Sequence, residues 1–300
     1  MRAARSLHTE LLLLALLALL WGSSYLLIKL AVAGIPPVTL IAIRVTGAAL
    51  FLHVVLWVRA EKLPRDTHTL AMLGTQAIFN SIGAWTVLAW GQQFVDAGLA
   101  SVLNSTSPIF VLIFNGFFTT REQLRGRKVL GACIGVLGVV LILGIDTLHG
   151  LGDQVLGQLA CLAGAALYAG AAIHGERLSH VSPAVAAAGT MTWAVIVLVP
   201  MAIVLERPWA VLPSAEALAA ALALSILCTG VALLIYFRLT QTLGPLGVAS
   251  QSYLRAGVGV ILGVYLLGER LRPTVAIGLA AAILGVALIN WPARQRASAA

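Results

Sequence analysis

The chain has 300 residues, 60% hydrophobic and 10% charged, with a formal net charge of +8. Soluble globular chains carry roughly 25% charged residues, and a soluble fold hides only one face of each element, so this much apolar surface excludes an ordinary soluble domain. The basic residues are scattered in short segments between apolar runs and form no patch, which argues against nucleic acid as a partner and for a lipid bilayer as the solvent.

The N-terminus is met first. Arg2 and Arg5 precede a leucine run, and Ala31-Val32-Ala33 imitates a signal-peptidase site. The apolar run continues through Trp21, Tyr25 and Ile28, longer than a signal core, so it is expected to remain as the first span. Further apolar stretches follow, giving predicted spans at 11–31, 38–58, 69–92, 97–118, 127–145, 154–174, 184–205, 216–238, 246–267 and 273–291. Each is long enough to cross ~30 Å of hydrocarbon at ~1.5 Å per residue. Chain breakers separate them: Pro36-Pro37, Pro64, Pro183, Pro208, Gly244-Pro245 and Pro273 among others. The connections are short, so neighbouring helices run antiparallel.

Orientation follows from Lys and Arg. With a cytoplasmic N-terminus, thirteen basic residues fall inside, among them Arg59, Lys62, Arg65, Arg127, Lys128, Arg177 and Arg238, against three outside, Arg207, Arg270 and Arg272. The expectation is a multi-pass protein of the plasma (inner) membrane with both termini cytoplasmic.

An internal repeat is visible. At an offset of 147, Glu122 matches Glu269, Arg125 matches Arg272, Gly131 matches Gly278 and Gly138 matches Gly285. Upstream, Gly98-Leu99-Ala100-Ser101 resembles Gly247-Val248-Ala249-Ser250. Two halves, 1–146 and 147–300, therefore hold five predicted helices each. An odd number per half inverts the second relative to the first. The predicted fold class is an all-α membrane protein of ten transmembrane helices in two inverted five-helix repeats, an arrangement that places a site near mid-membrane at the repeat interface.

Charge is distributed unevenly in depth. All eleven acidic residues fall in loops or at span ends, whereas Lys29, Arg44 and Arg255 lie within spans. Arg255 is about nine residues into its span, roughly 13 Å deep at helical rise. An arginine there costs at least ~2.5 kcal/mol to insert, so it faces a wet cavity or a partner. Its planar fork suits a carboxylate or phosphate; the other reading is a structural arginine bonded to helix carbonyls. Arg44 is expected either to orient helices or to snorkel, and Lys29 to snorkel.

Amides buried in hydrocarbon must be hydrogen-bonded, between helices or to a ligand. Gln76, Asn80, Asn104, Thr106 and Gln251 lie at mid-span, and Gln251 is one turn from Arg255 on the same face. Trp21, Trp85, Tyr168 and Tyr253 are candidates to stack on a ligand, whereas Trp90 reads as an interfacial belt residue. The candidate substrate-binding set is thus Trp21, Asn80, Trp85, Asn104, Tyr168, Gln251, Tyr253 and Arg255. No metal-ligand spacing links Cys133, Cys161 and Cys228, which read as small apolar packing residues, and His53 and His174 read as structural. Small-residue stripes Gly131, Gly135, Gly138 and Gly278, Ala282, Gly285 mark the fifth and tenth helices for close packing, either within the chain or in a homodimer.

Several short motifs, in order, resemble the EamA-type members of the drug/metabolite transporter superfamily: Leu20-Trp21-Gly22-Ser23-Ser24-Tyr25 with Ile28-Lys29, Pro36-Pro37, Arg44, Ser107-Pro108-Ile109-Phe110, and Leu267-Gly268-Glu269-Arg270-Leu271. The resemblance spans the chain and implies a central cavity, peripheral fifth and tenth helices, and mostly export of small metabolites or amino acids. The chain departs from the family pattern at Thr119-Thr120-Arg121-Glu122, where Leu-Gly-Glu is usual, and at Tyr253-Leu254-Arg255-Ala256, where Tyr-Leu-Glu-Pro is common.

The function class these readings favour is secondary or facilitative transport of a small metabolite by alternating access. No Gly-x-x-x-x-Gly-Lys-Ser loop for ATP occurs, and no cofactor is implied. A passive channel would present repeated rings of one polar type, and an intramembrane lipid-modifying enzyme would need a deep nucleophile with its base, or metal ligands. Neither pattern is present in the sequence.

Overall fold

The computed structural model describes residues 7–32, 34–91, 94, 97–118, 126–143, 148, 154–210, 212–258 and 273–291. The matched loop residues Glu122, Arg125, Glu269 and Arg272 lie outside these, as do Arg270, the four terminal arginines and the predicted span residues 259–267.

Among the described residues every regular element is helical. The order is α1 (Leu7–Val32), α2 (Pro37–Val58), α3 (Thr67–Ala77), a first π-turn (Ile78–Gly83), α4 (Ala84–Gly91), α5 (Ala97–Asn104), α6 (Ser107–Phe118), α7 (Gly126–Leu143) and α8 (Val155–Arg177). The chain continues with α9 (Pro183–Glu206), α10 (Ala215–Ser225), a second π-turn (Ile226–Val231), α11 (Ala232–Ala249), α12 (251–258) and α13 (Pro273–Asn290). Among the described residues, six stretches are long and apolar enough to cross a membrane. One of them, Ala215–Ala249, has 35 residues, about 50 Å at helical rise and too long for a single ~30 Å crossing. It is broken where the breakers lie: Gly244 has φ +74°, and Pro245 follows it.

Helix starts obey local chemistry. Pro37 and Pro183 occupy first helical positions, where the missing N–H costs nothing. Asp66, Ser182 and Ser214 accept from the backbone N–H three residues on, capping α3, α9 and α10. The Asp66 carboxyl is held below its ordinary range mainly by the Thr69 backbone N–H it accepts. Glu206, at the end of α9, accepts from the Val38 and Thr39 N–H groups at 3.1 and 2.7 Å, so a carboxylate from the second half caps a helix of the first.

The bundle is apolar outside, and its buried polar side chains lie inside among a larger apolar core. Leu12, Val204 and Leu156 are more than 70% exposed, whereas Gln76, Ser81, Thr190 and Ser225 are wholly buried. The apolar exterior suits lipid, where polar groups must be satisfied internally. Trp90, 45% exposed and edge-on to Phe94 at 5.0 Å, keeps its place as a surface residue.

The third span and its repeat partner are not the uninterrupted helices that periodicity predicts. Each carries a π-turn, at 78–83 and at 226–231, an offset of 148 residues that nearly repeats the sequence offset of 147. A π-turn inserts one residue into the helical register and loosens backbone groups, a change that periodicity cannot reveal. The fourth span is likewise broken, into α5 and α6 at Ser105-Thr106.

The small-residue stripes of α7 and α13 face each other within one chain. A Cβ on Gly138 would stand 2.6 Å from the Ala282 nitrogen, and one on Gly278 2.7 Å from the Gly138 carbonyl oxygen. The backbones touch because neither helix has a side chain there. A homodimer through these helices would have to use their other faces.

Candidate functional site

A cavity of about 360 Å³ lies between α1, α2, α4, α5, α6, α8 and α10 to α12, within the size range of small-molecule sites. It reaches the α1–α2 end of the bundle, where Val32 and Pro37 line it and are exposed. Its deep end is bounded by Ala172 and Tyr236. Next to Ala172, two hydrogen bonds join α3 to α8. The wholly buried Gln76 donates to the Ala171 carbonyl at 3.1 Å, and His174 Nε2 pairs with the Met72 carbonyl at 2.9 Å.

Seven of the eight candidate residues meet in this cavity: Trp21, Asn80, Trp85, Asn104, Tyr168, Gln251 and Arg255. They come from helices far apart in sequence. Asn80 sits in the first π-turn and donates to Ser81 Oγ at 3.3 Å. Trp21 donates through its indole N–H to the Cys228 carbonyl in the second π-turn at 3.1 Å, and its ring lies 5.7 Å from that of Tyr236. Asn104 and Gln251 stand beside the two helix breaks. Asn104 Oδ1, Gln251 Oε1 and Ser252 Oγ are buried with no hydrogen-bond partner among the described residues. Such orphaned acceptors cost ~1–3 kcal/mol each, and Asn104, Gln251 and Ser252 all line the cavity.

Tyr253 is the exception. It is wholly buried, its hydroxyl donates to the Ala132 carbonyl at 3.1 Å, and its ring fills the space left by Gly135. The structure thus turns it away from the cavity and toward α7. The reason is helical geometry: Gln251 and Arg255 share a face, and Tyr253, two residues from each, points the opposite way.

Arg44 is the residue the sequence did not single out as a ligand group. Its Nε donates to Thr229 Oγ1 at 2.7 Å, and its guanidinium carbon lies 4.2 Å from the centre of the Trp85 ring. Thr229 in turn donates to the Leu224 carbonyl, five residues back, at 2.8 Å. The arginine therefore does not snorkel; it is stacked on an aromatic face and lines the cavity, a cation–π contact worth ~0.5–2 kcal/mol. Cys228, read from sequence as packing, also lines the cavity, with Sγ 3.9 Å from Ser23 Oγ. The signal that could have found Arg44 was its depth within a span. Thr229 gave no signal, because its role depends on the π-turn.

Among the described residues no Asp or Glu lines the cavity, and no group of His, Cys, Asp and Glu is placed to hold a metal ion. The polar wall consists of two guanidinium groups, amides and hydroxyls, and the remainder is aromatic and aliphatic. It offers no nucleophile paired with a base; it can bind, and it can enclose.

A helical bundle with an apolar exterior and a central cavity beside broken helices is an architecture that membrane transporters use. The chain belongs to the EamA-like transporter family, whose sequence profile matches it twice, over residues 8–144 and 155–291. It is 27% identical over 276 residues to the Escherichia coli (strain K12) "uncharacterized inner membrane transporter YedA", covering 91% of this chain and 88% of that protein. An Archaeoglobus fulgidus transporter is 27% identical over 292 residues, covering 95% and 98%. The Bacillus subtilis transporter YoaV is 29% identical over 147 residues, about half of each chain. A solved crystal structure superposes with a TM-score of 0.81 at 21% identity, over 97% of this chain and 100% of that one, which shows the fold.

Proposed function

We propose that this transporter moves small anionic metabolites, amino acids among them, by alternating access. It is secondary or facilitative and works in the export direction that the family resemblance implies. The observation that carries the reading is the cavity itself. It is built from both halves, lined by Arg44 of the first and Arg255 of the second, open toward the α1–α2 end, with hydrogen bonds joining α3 to α8 beside its deep end. The mixed polar lining, with no ring of one repeated polar type among the described residues, favours a carrier over a channel.

The proposed topology is ten crossings, in halves 1–146 and 147–300 of opposite orientation, in the inner membrane with both termini cytoplasmic. The paired π-turns, offset by nearly the repeat length, support the two halves. The ion pair between Arg238 and Glu10, 2.8 Å long, supports placing the start of α1 and this part of α11 on one side, as the charge bias requires. With this orientation the cavity faces outward, and the ties at Gln76 and His174 are those that must part for the inward-facing state.

The test is uptake and counter-exchange of amino and organic acids in liposomes carrying the purified protein, with and without a pH gradient. Arg255→Ala is expected to abolish transport while leaving expression intact. Wild-type flux in that variant would remove the site, and flux that never saturates would favour a channel.

A further inference from the structure

A slot of about 320 Å³ lies apart from the cavity, between α2, α9 and α10, with Pro208 also in its wall. The start of α2, the end of α9 and the start of α10 share one side of the bundle: Glu206 reaches the Val38 and Thr39 N–H groups, and a Cβ on Gly34 would meet Pro213 and Ser214. Thr39, Ala42 and Ala202, each more than nine-tenths buried, form the floor of the slot, and Ile203 and Leu222, 46% and 56% exposed, form its rims. From Thr39 the slot runs along α2 to Gly47, about 12 Å at helical rise. There it closes, since a Cβ on Gly47 would stand 2.7 Å from Ser225 Cβ. The Ser225 hydroxyl donates to the Ala221 carbonyl at 2.7 Å, so the lining is almost wholly apolar.

The end of the slot at Thr39 and Pro208 is different. Thr39 Oγ1 is buried with no hydrogen-bond partner among the described residues, a position that a partner from outside the chain would stabilise. Arg207 precedes Pro208, is exposed, and has no ion-pair partner among the described residues. The adjacent Glu206 carboxylate is engaged by the two α2 N–H groups. Trp209, 70% exposed, follows in the same turn and has the character of residues that sit at lipid headgroup level.

We infer that this slot is a binding site for an anionic phospholipid. One acyl chain lies in the slot, Arg207 meets the phosphate, and the Thr39 hydroxyl bonds the ester region. The length suits this occupant, because about 12 Å is most of the ~15 Å of hydrocarbon in one leaflet. An acyl chain held between three helices also makes more contacts than one on a flat helix surface. A net negative headgroup is favoured over a zwitterionic one, whose ammonium Arg207 repels. The lipid touches α2 of the first half and α9 and α10 of the second, so it links the halves on the outside of the bundle. The inference needs the chain to lie in a bilayer; it does not depend on the cavity or on what the protein transports.

Native mass spectrometry of the purified, delipidated full chain tests this without a transport substrate. The probes are dioleoylphosphatidylglycerol and dioleoylphosphatidylethanolamine, which share acyl chains and differ in charge. The phosphatidylglycerol adduct is expected to be favoured about fivefold, the effect of one cation at a lipid headgroup. Arg207→Gln should make the two lipids equal, whereas Arg65→Gln, at an exposed cation outside the slot, should leave the preference intact. Thr46→Phe, at a half-buried position in the wall, should cut retention of both lipids several-fold at unchanged thermal midpoint. Equal retention of the two lipids by the wild-type chain overturns the inference. So does an Arg207→Gln chain that keeps the preference, or a folded Thr46→Phe chain that binds as before. A lipid-free dimer as the stable species also overturns it and assigns this face to a second copy of the chain.

Discussion

The two halves of the chain meet at two seams built in opposite ways. Between α7 and α13 the contact is made by glycines, with backbone against backbone and no side chain to rearrange. Around the cavity the halves meet through arginines, amides and aromatic rings that leave about 360 Å³ open. One seam is solid because its residues are small; the other is hollow because bulky rings and polar side chains hold the helices apart. The difference teaches that small and bulky residues within equally membrane-compatible spans do opposite mechanical work.

The largest effect is expected from filling the solid seam. Gly138→Leu puts a branched side chain where even a Cβ lies 2.6 Å from a backbone nitrogen. The expected cost is about 3 kcal/mol or more, seen as loss of the monodisperse peak in size-exclusion chromatography. A well-folded Gly138→Leu protein would show that the seam can slide. Next is the hollow seam. Arg44→Ala, like Arg255→Ala, should lower liposome flux by more than tenfold with the elution profile unchanged, because it removes a cation from the cavity and no packing from the solid seam.

Tyr253 sharpens the boundary between the two regions. Tyr253→Phe deletes the hydroxyl that donates to the Ala132 carbonyl. It should lower stability by ~1 kcal/mol, read as a fall in thermal midpoint, with substrate affinity untouched. A changed affinity at constant stability would move Tyr253 back into the cavity wall. The smallest effect lies outside both seams. Asp66 caps α3, and its carboxyl titrates below the ordinary value. A depressed carboxylate stabilises the fold above its unfolded pKa, and that contribution fades as pH falls through the folded one. Asp66→Ala should therefore show a slightly lower thermal midpoint than wild type at neutral pH, converging with it in acid.

The solid seam was half legible. Gly131, Gly138, Gly278 and Gly285 stood at matching offsets, but whether they faced a neighbour in the chain or a second copy depended on how the halves came together. The cavity was legible where a polar residue was conspicuous for its depth, as with Arg255, Asn80, Asn104 and Gln251. It was misread at Tyr253, where aromatic character suggested a ligand contact and helical phase turned the ring to Gly135. Arg44 was seen as a buried charge without its purpose, because Thr229 and Trp85 reach it from helices that the sequence does not place beside it.

What the amino-acid sequence determined by itself is local and additive. Span length, apolar content, helix caps, breakers and the repeat offset are each written in consecutive residues, and membrane solvation responds to them segment by segment. What only the tertiary structure decided is nonlocal: which stripe meets which, the π-turns that shift register by one residue, and the meeting of two arginines from separate halves. Those outcomes depend on the fit between surfaces hundreds of residues apart, and close packing admits few such fits.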